Sequence, residues 1–114
     1  MAVKIIVSDL DGTLMAPDHL TVAEATKTAL LRAHDAGMRI AIATGRTLSF
    51  TANVTDQIPF VDYVICSNGA CVYDRNNKEF IYSKLISPEE TAEAVTLLNS
   101  LPIYYNICLL YTSD

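Results

Sequence analysis

The sequence predicts an α/β fold built on a Rossmann-like parallel sheet, and three observations carry that prediction. Short, continuously apolar runs occur at 3–9, 39–44 and 62–68, the pattern of strands covered on both faces. A segment with helical spacing separates the first run from the second, and a weaker one separates the second from the third. Strand, helix, strand, helix, strand is the signature of a parallel α/β sheet.

The first run, "VKIIVSD", is short and β-branched, and a loop with Pro17, Asp18 and His19 follows it. "TVAE" (21–24) has the form of a capping box, with Thr21 and Glu24 reciprocally placed. Val22, Ala25, Ala29, Leu30 and Ala33 form one apolar stripe, and Gly37 supplies a left-handed stop. The spacing predicts a helix over 22–36. "RIAIAT" (39–44) reads as the second strand, 47–57 as a helix ending before Pro59, and "DYVICSN" (62–68) as the third strand.

Beyond residue 70 the texture changes. "CVYDRNNKEFIYSKL" (71–85) alternates on both sides of Asn76 and Asn77, the pattern of a hairpin. "SPEE" (87–90) is a second capping box, with Pro88 at the first helical position. Ala94, Leu97, Leu98 and Leu101 continue it as a helical stripe, and 102–107 is expected to begin another strand. "CLLYTSD" (108–114) breaks the pattern and reads as an adapter-derived tail, left out of fold reasoning. The expected organisation is a core part at 1–70, a hairpin and the start of a second domain at 71–107, and that tail.

Bulk properties narrow the function. The chain has 114 residues, 51% of them hydrophobic, a mean hydropathy of +0.26 and a formal net charge of −5. That apolar content excludes a disordered chain, and no segment approaches the roughly 18 apolar residues of a membrane helix. The acidic balance argues against nonspecific nucleic-acid binding. The opening "MAVKIIVSD" does not read as a signal peptide. Cys66, Cys71 and Cys108 show no metal-ligand spacing. Cys66 and Cys71 are expected as buried thiols, and a reducing cytoplasm fits best.

The chemistry gathers where the strands end. In an extended strand end residues i and i+2 face one side, so Asp9 and Asp11 of "DLDGT" are expected to converge. Ligands of open α/β sheets bind at that end. Gly12 permits the sharp turn, and the Thr13 hydroxyl can hold a carboxylate. D-x-D-G-T starts at a given position by chance on the order of once in 10⁵, which favours function over a plain Asp-Gly turn.

Paired acids in differing surroundings can divide nucleophilic attack from proton transfer. Attack of a carboxylate on phosphorus gives an aspartyl-phosphate, and Mg²⁺ suits carboxylates with phosphate oxygens. In "ATGR" (43–46) the Thr44 hydroxyl can donate to a phosphate oxygen, and the Gly45 and Arg46 amides are expected to open a helix. Arg46 adds a bidentate grip on substrate. Alone, Thr-Gly-Arg is also an ordinary way to start a helix. Asn68 and Gly69 of "SNGA" (67–70) line the same mouth, or else make a simple turn into the hairpin. His19 and His34 have no partner at catalytic spacing and are expected at the surface.

"DLDGTL", "ATGR" and "SNGA", in this order and at these separations, resemble the haloacid dehalogenase-like phosphohydrolases of the Cof-type branch, over about Val3 to Ile107. The resemblance implies that Asp9 is the nucleophile and a Mg²⁺ ligand. It makes Asp11 the general acid/base, binding the metal through its backbone carbonyl, and Thr44 the phosphate-binding hydroxyl. Residues 71–101 would lead into an inserted α/β cap, and the substrates would be small phosphorylated metabolites. The family also uses a later lysine and a later pair of aspartates; Lys78 and Lys84 match neither position.

The chain thus reads as the N-terminal part of a Mg²⁺-dependent phosphatase, inactive by itself. A phosphomutase of the same superfamily, a receiver-like module and a non-catalytic fragment are the alternatives. Both faces of the three strands are apolar, so one face and the first strand's edge are expected to lie open.

Overall fold

In the computed structural model, which describes residues 4–108, five strands form one sheet in the order β1 (Ile5–Asp9), β2 (Arg39–Ala43), β3 (Tyr63–Cys66), β4 (Cys71–Asp74) and β5 (Glu79–Ser83). β1, β2 and β3 run parallel, and β4 and β5 add antiparallel to them as a hairpin. One compact unit runs Met1–Ser83 and a second Lys84–Asp114. Among the described residues no helix is long and apolar enough to cross a membrane.

Register fixes the two faces of the sheet. Ile6 pairs with Ile40, and Ile42 with Val64, so these side chains share one face. Ile40, Ile42 and Val64 are fully buried and join Leu10, Val22, Val54 and Ile58 in the core. The opposite face carries Ile5, Val7 and Asp9 of β1 with Ala41 and Ala43 of β2. There Ile5 and Val7 stay 45% and 49% exposed, and β1 is an edge strand.

The first helix, α1 (Glu24–Asp35), starts later than expected, and the Thr21 capping box does not form. Asp18 takes its place in the preceding turn: its carboxylate accepts from the Thr21 hydroxyl at 2.7 Å and from the Leu20 and Thr21 amides. Val22 is drawn into a bridge with Met15, leaving Ala23 as an uncapped first residue. The inward stripe is also rotated by about one position. Thr26, Lys27, Leu30 and Ala33 are half-buried, whereas Ala25 and Ala29 are exposed. The stem of Lys27 covers apolar surface while its ammonium reaches Glu24 at 2.8 Å. Gly37 ends the helix as expected, with Met38 N–H donating to Ala33 O.

The helix expected over 47–57 is much shorter. One tight turn at Leu48–Thr51 leads into a single α-turn, α2 (Ala52–Thr55). Hydroxyls compete with the helical ladder here: Thr51 Oγ1 donates to Leu48 O at 2.7 Å, and Thr55 Oγ1 to Thr51 O and Ala52 O. Val54, Ile58 and Val61 pin the segment into the core.

The hairpin turns where the paired asparagines predict. Asp74 accepts from the Asn76 and Asn77 amides and from Asn77 Nδ2. In the second unit, α3 (Pro88–Asn99) begins with the full Ser87–Glu90 capping box. No strand forms over 102–107, which pairs with no strand among the described residues. Of the expected tail, only Cys108 lies within the described residues.

Candidate functional site

The site forms where β1, β2 and β3 end together. Asp9 pairs with Ala43, and Ala43 with Ile65, so all three side chains share the less covered face. Asp9, Ala43, Thr44, Gly45, Ile65, Asn68 and Gly69 line one open pocket of about 340 Å³. Five residues that the sequence nominated therefore lie together: Asp9, Thr44, Gly45, Asn68 and Gly69.

β1 stops at Asp9, and the chain enters a tight coil, Leu10–Leu14, closed by Met15 N–H donating to Leu10 O at 3.0 Å. Gly12 sits at φ +81°, where other residues pay a steric penalty. Buried Leu10 anchors the coil in the core. One Asp9 oxygen, Oδ1, accepts from the Leu10 amide at 2.8 Å, which fixes the carboxylate and leaves Oδ2 for other work.

The coil, and not strand alternation, sets the direction of Asp11. Its carboxylate is held outside the Asp9 pocket lining by a two-pronged grip from Arg46, Nε to Oδ2 at 3.0 Å and Nη2 to Oδ1 at 2.6 Å. His19 Nδ1 adds a contact to Oδ1 at 2.9 Å. The hydrogen bonds from Arg46 and then from His19 hold the Asp11 carboxyl down at about 2. The same pair pushes the Arg46 guanidinium up.

His19 therefore does have a partner, contrary to the sequence expectation. Residues 15–22 fold back as a small hairpin through the Met15–Val22 bridge, with Ala16 N–H donating to Thr21 O at 2.8 Å. Gln57 clamps that hairpin, accepting from Val22 N–H at 2.9 Å and donating Nε2 to Leu20 O at 2.7 Å. Sequence reasoning missed both residues because neither lies in a motif; the only cue was a lone histidine in a loop after the acids. His34 is half-buried, its ring centroid 5.5 Å from that of Phe60.

Thr44 is nearly buried just past β2. Its Oγ1 accepts the Arg46 amide at 3.0 Å, so its hydroxyl proton remains to be donated elsewhere. No helix begins at Gly45, and the anion-favouring helix start expected there is absent: the Arg46 amide is engaged by Thr44. A loop supplies the opposite wall. Ser67, Asn68 and Gly69 stand at φ +52°, +57° and +90°, with Ser67 N–H donating to Arg46 O and Asn68 N–H to Thr44 O. Gly45 leaves room for a close approach: a Cβ there would lie 2.8 Å from Asn68 Oδ1.

Hard-oxygen donors fit Mg²⁺ only in part. The Asp9 carboxylate ends β1 and the main-chain carbonyl of Asp11 lies in the coil after it, but no group of three His, Cys, Asp or Glu that could hold a metal occurs among the described residues.

Comparison with known proteins identifies the family. The haloacid dehalogenase-like hydrolase family matches residues 6–113. An HMP-PP phosphatase of Cronobacter sakazakii is 38% identical over 87 residues, covering 76% of this chain and 31% of the relative. The phosphatase BT1666 of Bacteroides thetaiotaomicron superposes with a TM-score of 0.75 at 32% identity, over 86% of this chain and 35% of that one. The subclass IIB sugar phosphatase BT4131 gives 0.68 at 30% identity, over 85% and 37%. The chain thus spans about a third of the length of the relatives it matches. Matched by the family model over nearly its whole length, and by relatives in sequence and fold, the chain belongs to the haloacid dehalogenase-like hydrolases.

Proposed function

We propose that the complete protein carrying this chain is a Mg²⁺-dependent phosphohydrolase of small phosphorylated metabolites, working through an aspartyl-phosphate on Asp9. The observation that carries this reading is the shared pocket of Asp9, Thr44, Gly45, Asn68 and Gly69 at the ends of three parallel strands. The relatives' substrates, HMP-PP and sugar phosphates, support the substrate class.

In this reading Asp9 Oδ2 attacks phosphorus while the Leu10 amide holds Oδ1. The Thr44 hydroxyl donates to a phosphoryl oxygen, and the Asn68 side-chain carboxamide and Gly69 backbone face the same group. Asp11 protonates the leaving oxygen and later takes a proton from the attacking water. Gripped by Arg46, its carboxylate is ionised, so the grip must slacken for Asp11 to carry a proton. Arg46 is then free to hold substrate. The Asp9 carboxylate and Asp11 carbonyl would hold Mg²⁺, which when bound offsets the crowding of negative charge. The remaining ligands would come from outside this chain.

The strands and loops through residue 70 would form the catalytic part of the core, the hairpin of β4 and β5 extends the same sheet, and 84–107 would lead toward a substrate-covering cap. A cytoplasmic location belongs to the same proposal. The test is a generic phosphate ester with Mg²⁺. The complete protein should release phosphate, and beryllofluoride should form an adduct on Asp9 visible by fluorine NMR. Both signals vanish in Asp9→Asn, and the 114-residue chain alone shows no turnover. Release that persists in Asp9→Asn overturns the mechanism.

A further inference from the structure

Cys66 ends β3 and Cys71 begins β4, and the antiparallel register sets them directly opposite one another. Both are buried free thiols, with sulfurs 3.1 Å apart. Between them lies the four-residue loop that walls the Asp9 pocket, three of its residues in left-handed conformation. Its first two amides are tied to Arg46 and Thr44. A change at the sulfurs is therefore passed to the pocket through very few bonds.

We infer that Cys66 and Cys71 are a redox pair whose reversible disulfide, formed by hydrogen peroxide, switches the phosphate pocket off. The bond is argued from the pairing geometry alone; the loss of turnover rests on the phosphatase reading above. One thiolate attacks the peroxide O–O bond, leaving a sulfenic acid and, with one proton, a first water. The second sulfur displaces hydroxide from that sulfenic acid, and its proton completes a second water. Two thiols have then lost two electrons and two protons to one peroxide.

A disulfide holds its sulfurs about 2.05 Å apart, so the pair must close by about 1 Å from its present separation. A strained four-residue loop has little slack for that movement. The tethered amides pass it to Thr44 and Arg46. Misplacement by about 1 Å can cost about 10²-fold in turnover. Burial, and after it the neighbouring Cys71, pushes the Cys66 thiol up to about 12, so the attacking thiolate is scarce and the pair answers sustained peroxide.

The test treats the complete protein with hydrogen peroxide and digests it with trypsin without reduction. The peptide 47–75 contains both cysteines and no internal cleavage site. It should lose two hydrogen atoms in mass and resist alkylation. Phosphate-ester turnover should fall by at least about tenfold and return with dithiothreitol, while Cys71→Ala and Cys66→Ala keep their turnover under peroxide. A peptide 47–75 that remains fully alkylated overturns the inference, as does a disulfide that leaves turnover unchanged. If the reduced protein turns over no phosphate ester, the phosphatase reading falls instead. The peptide mass and the Thr44 and Gly69 amide NMR shifts on oxidation then decide the redox pair, and unmoved shifts overturn it.

Discussion

Arg46 and Asp11, 35 positions apart in sequence, form a two-pronged ion pair, Nε to Oδ2 at 3.0 Å and Nη2 to Oδ1 at 2.6 Å. The same guanidinium donates to the carbonyls of His19 and Phe50, so it joins the small hairpin to the turn after β2. Replacing Arg46 by Met removes the largest influence on Asp11, and its carboxyl rises from about 2 toward the ordinary 3.8. Carbon-13 NMR of that carboxyl reads the change directly. Because the folded value is depressed, the pair's contribution to stability is present above about pH 3.8 and lost as pH falls through about 2. An unmoved Asp11 titration in the variant refutes this account.

Gly45→Ala tests the close approach to Asn68. The added methyl pushes the Asn68 side chain out of the pocket wall, since Oδ1 would stand 2.8 Å from it. That side chain is flexible at its tip, so the folded state should lose less than about 1 kcal/mol. Inorganic phosphate should bind the complete protein more weakly by calorimetry. Unchanged phosphate affinity removes Asn68 from the site.

The bare edge of β1 should govern the behaviour of the 114-residue chain alone. Ile5 and Val7 stand half-exposed on an edge strand, a template for pairing with further copies. The chain is expected to associate in light scattering, and Val7→Lys should reduce that association. A monomeric, cooperatively unfolding chain without the substitution contradicts the prediction.

Asp62 is the buried acid with most to lose. Burial pushes its carboxyl up, but the Ile40 amide, Asn76 and Arg39 outweigh that and hold it below its usual value. Asp62→Ala strands the buried Ile40 amide, 2.9 Å from one Asp62 oxygen, and leaves Asn76 Nδ2, 2.8 Å from the other, to solvent. Unpairing a buried donor costs about 1–3 kcal/mol. Urea unfolding of the complete protein measures it, and a change within about 0.5 kcal/mol, typical of plain surface positions, refutes the role.

The parts of this fold legible in sequence are those that depend on local pattern. The three apolar runs became β1, β2 and β3, the Ser87 box capped α3, and Asn76 and Asn77 marked the hairpin turn. Failures arose where a nearby group competed for the same partner. Asp18 captured the Thr21 hydroxyl and delayed α1, and threonine hydroxyls shortened α2. At the site, motif residues were found and their supports were not. His19 and Gln57 act through contacts 8 and 35 positions away, a separation that no periodicity reports. Arg46, nominated for substrate, was found on Asp11, because the coil after Asp9 turns that carboxylate toward it.

Asp62 has one more consequence. It fastens Arg39 and Ile40 at the start of β2, immediately before β3 begins, and also holds the hairpin turn through Asn76. Thr44 lies at the far end of β2. A slip of a single residue there would invert which side chains look up and which look down, carrying Ala43 away from Asp9. A random-mutagenesis screen scored on enzymatic output should therefore flag this distant acid among its hits, as a misalignment defect in protein that still accumulates in the cell.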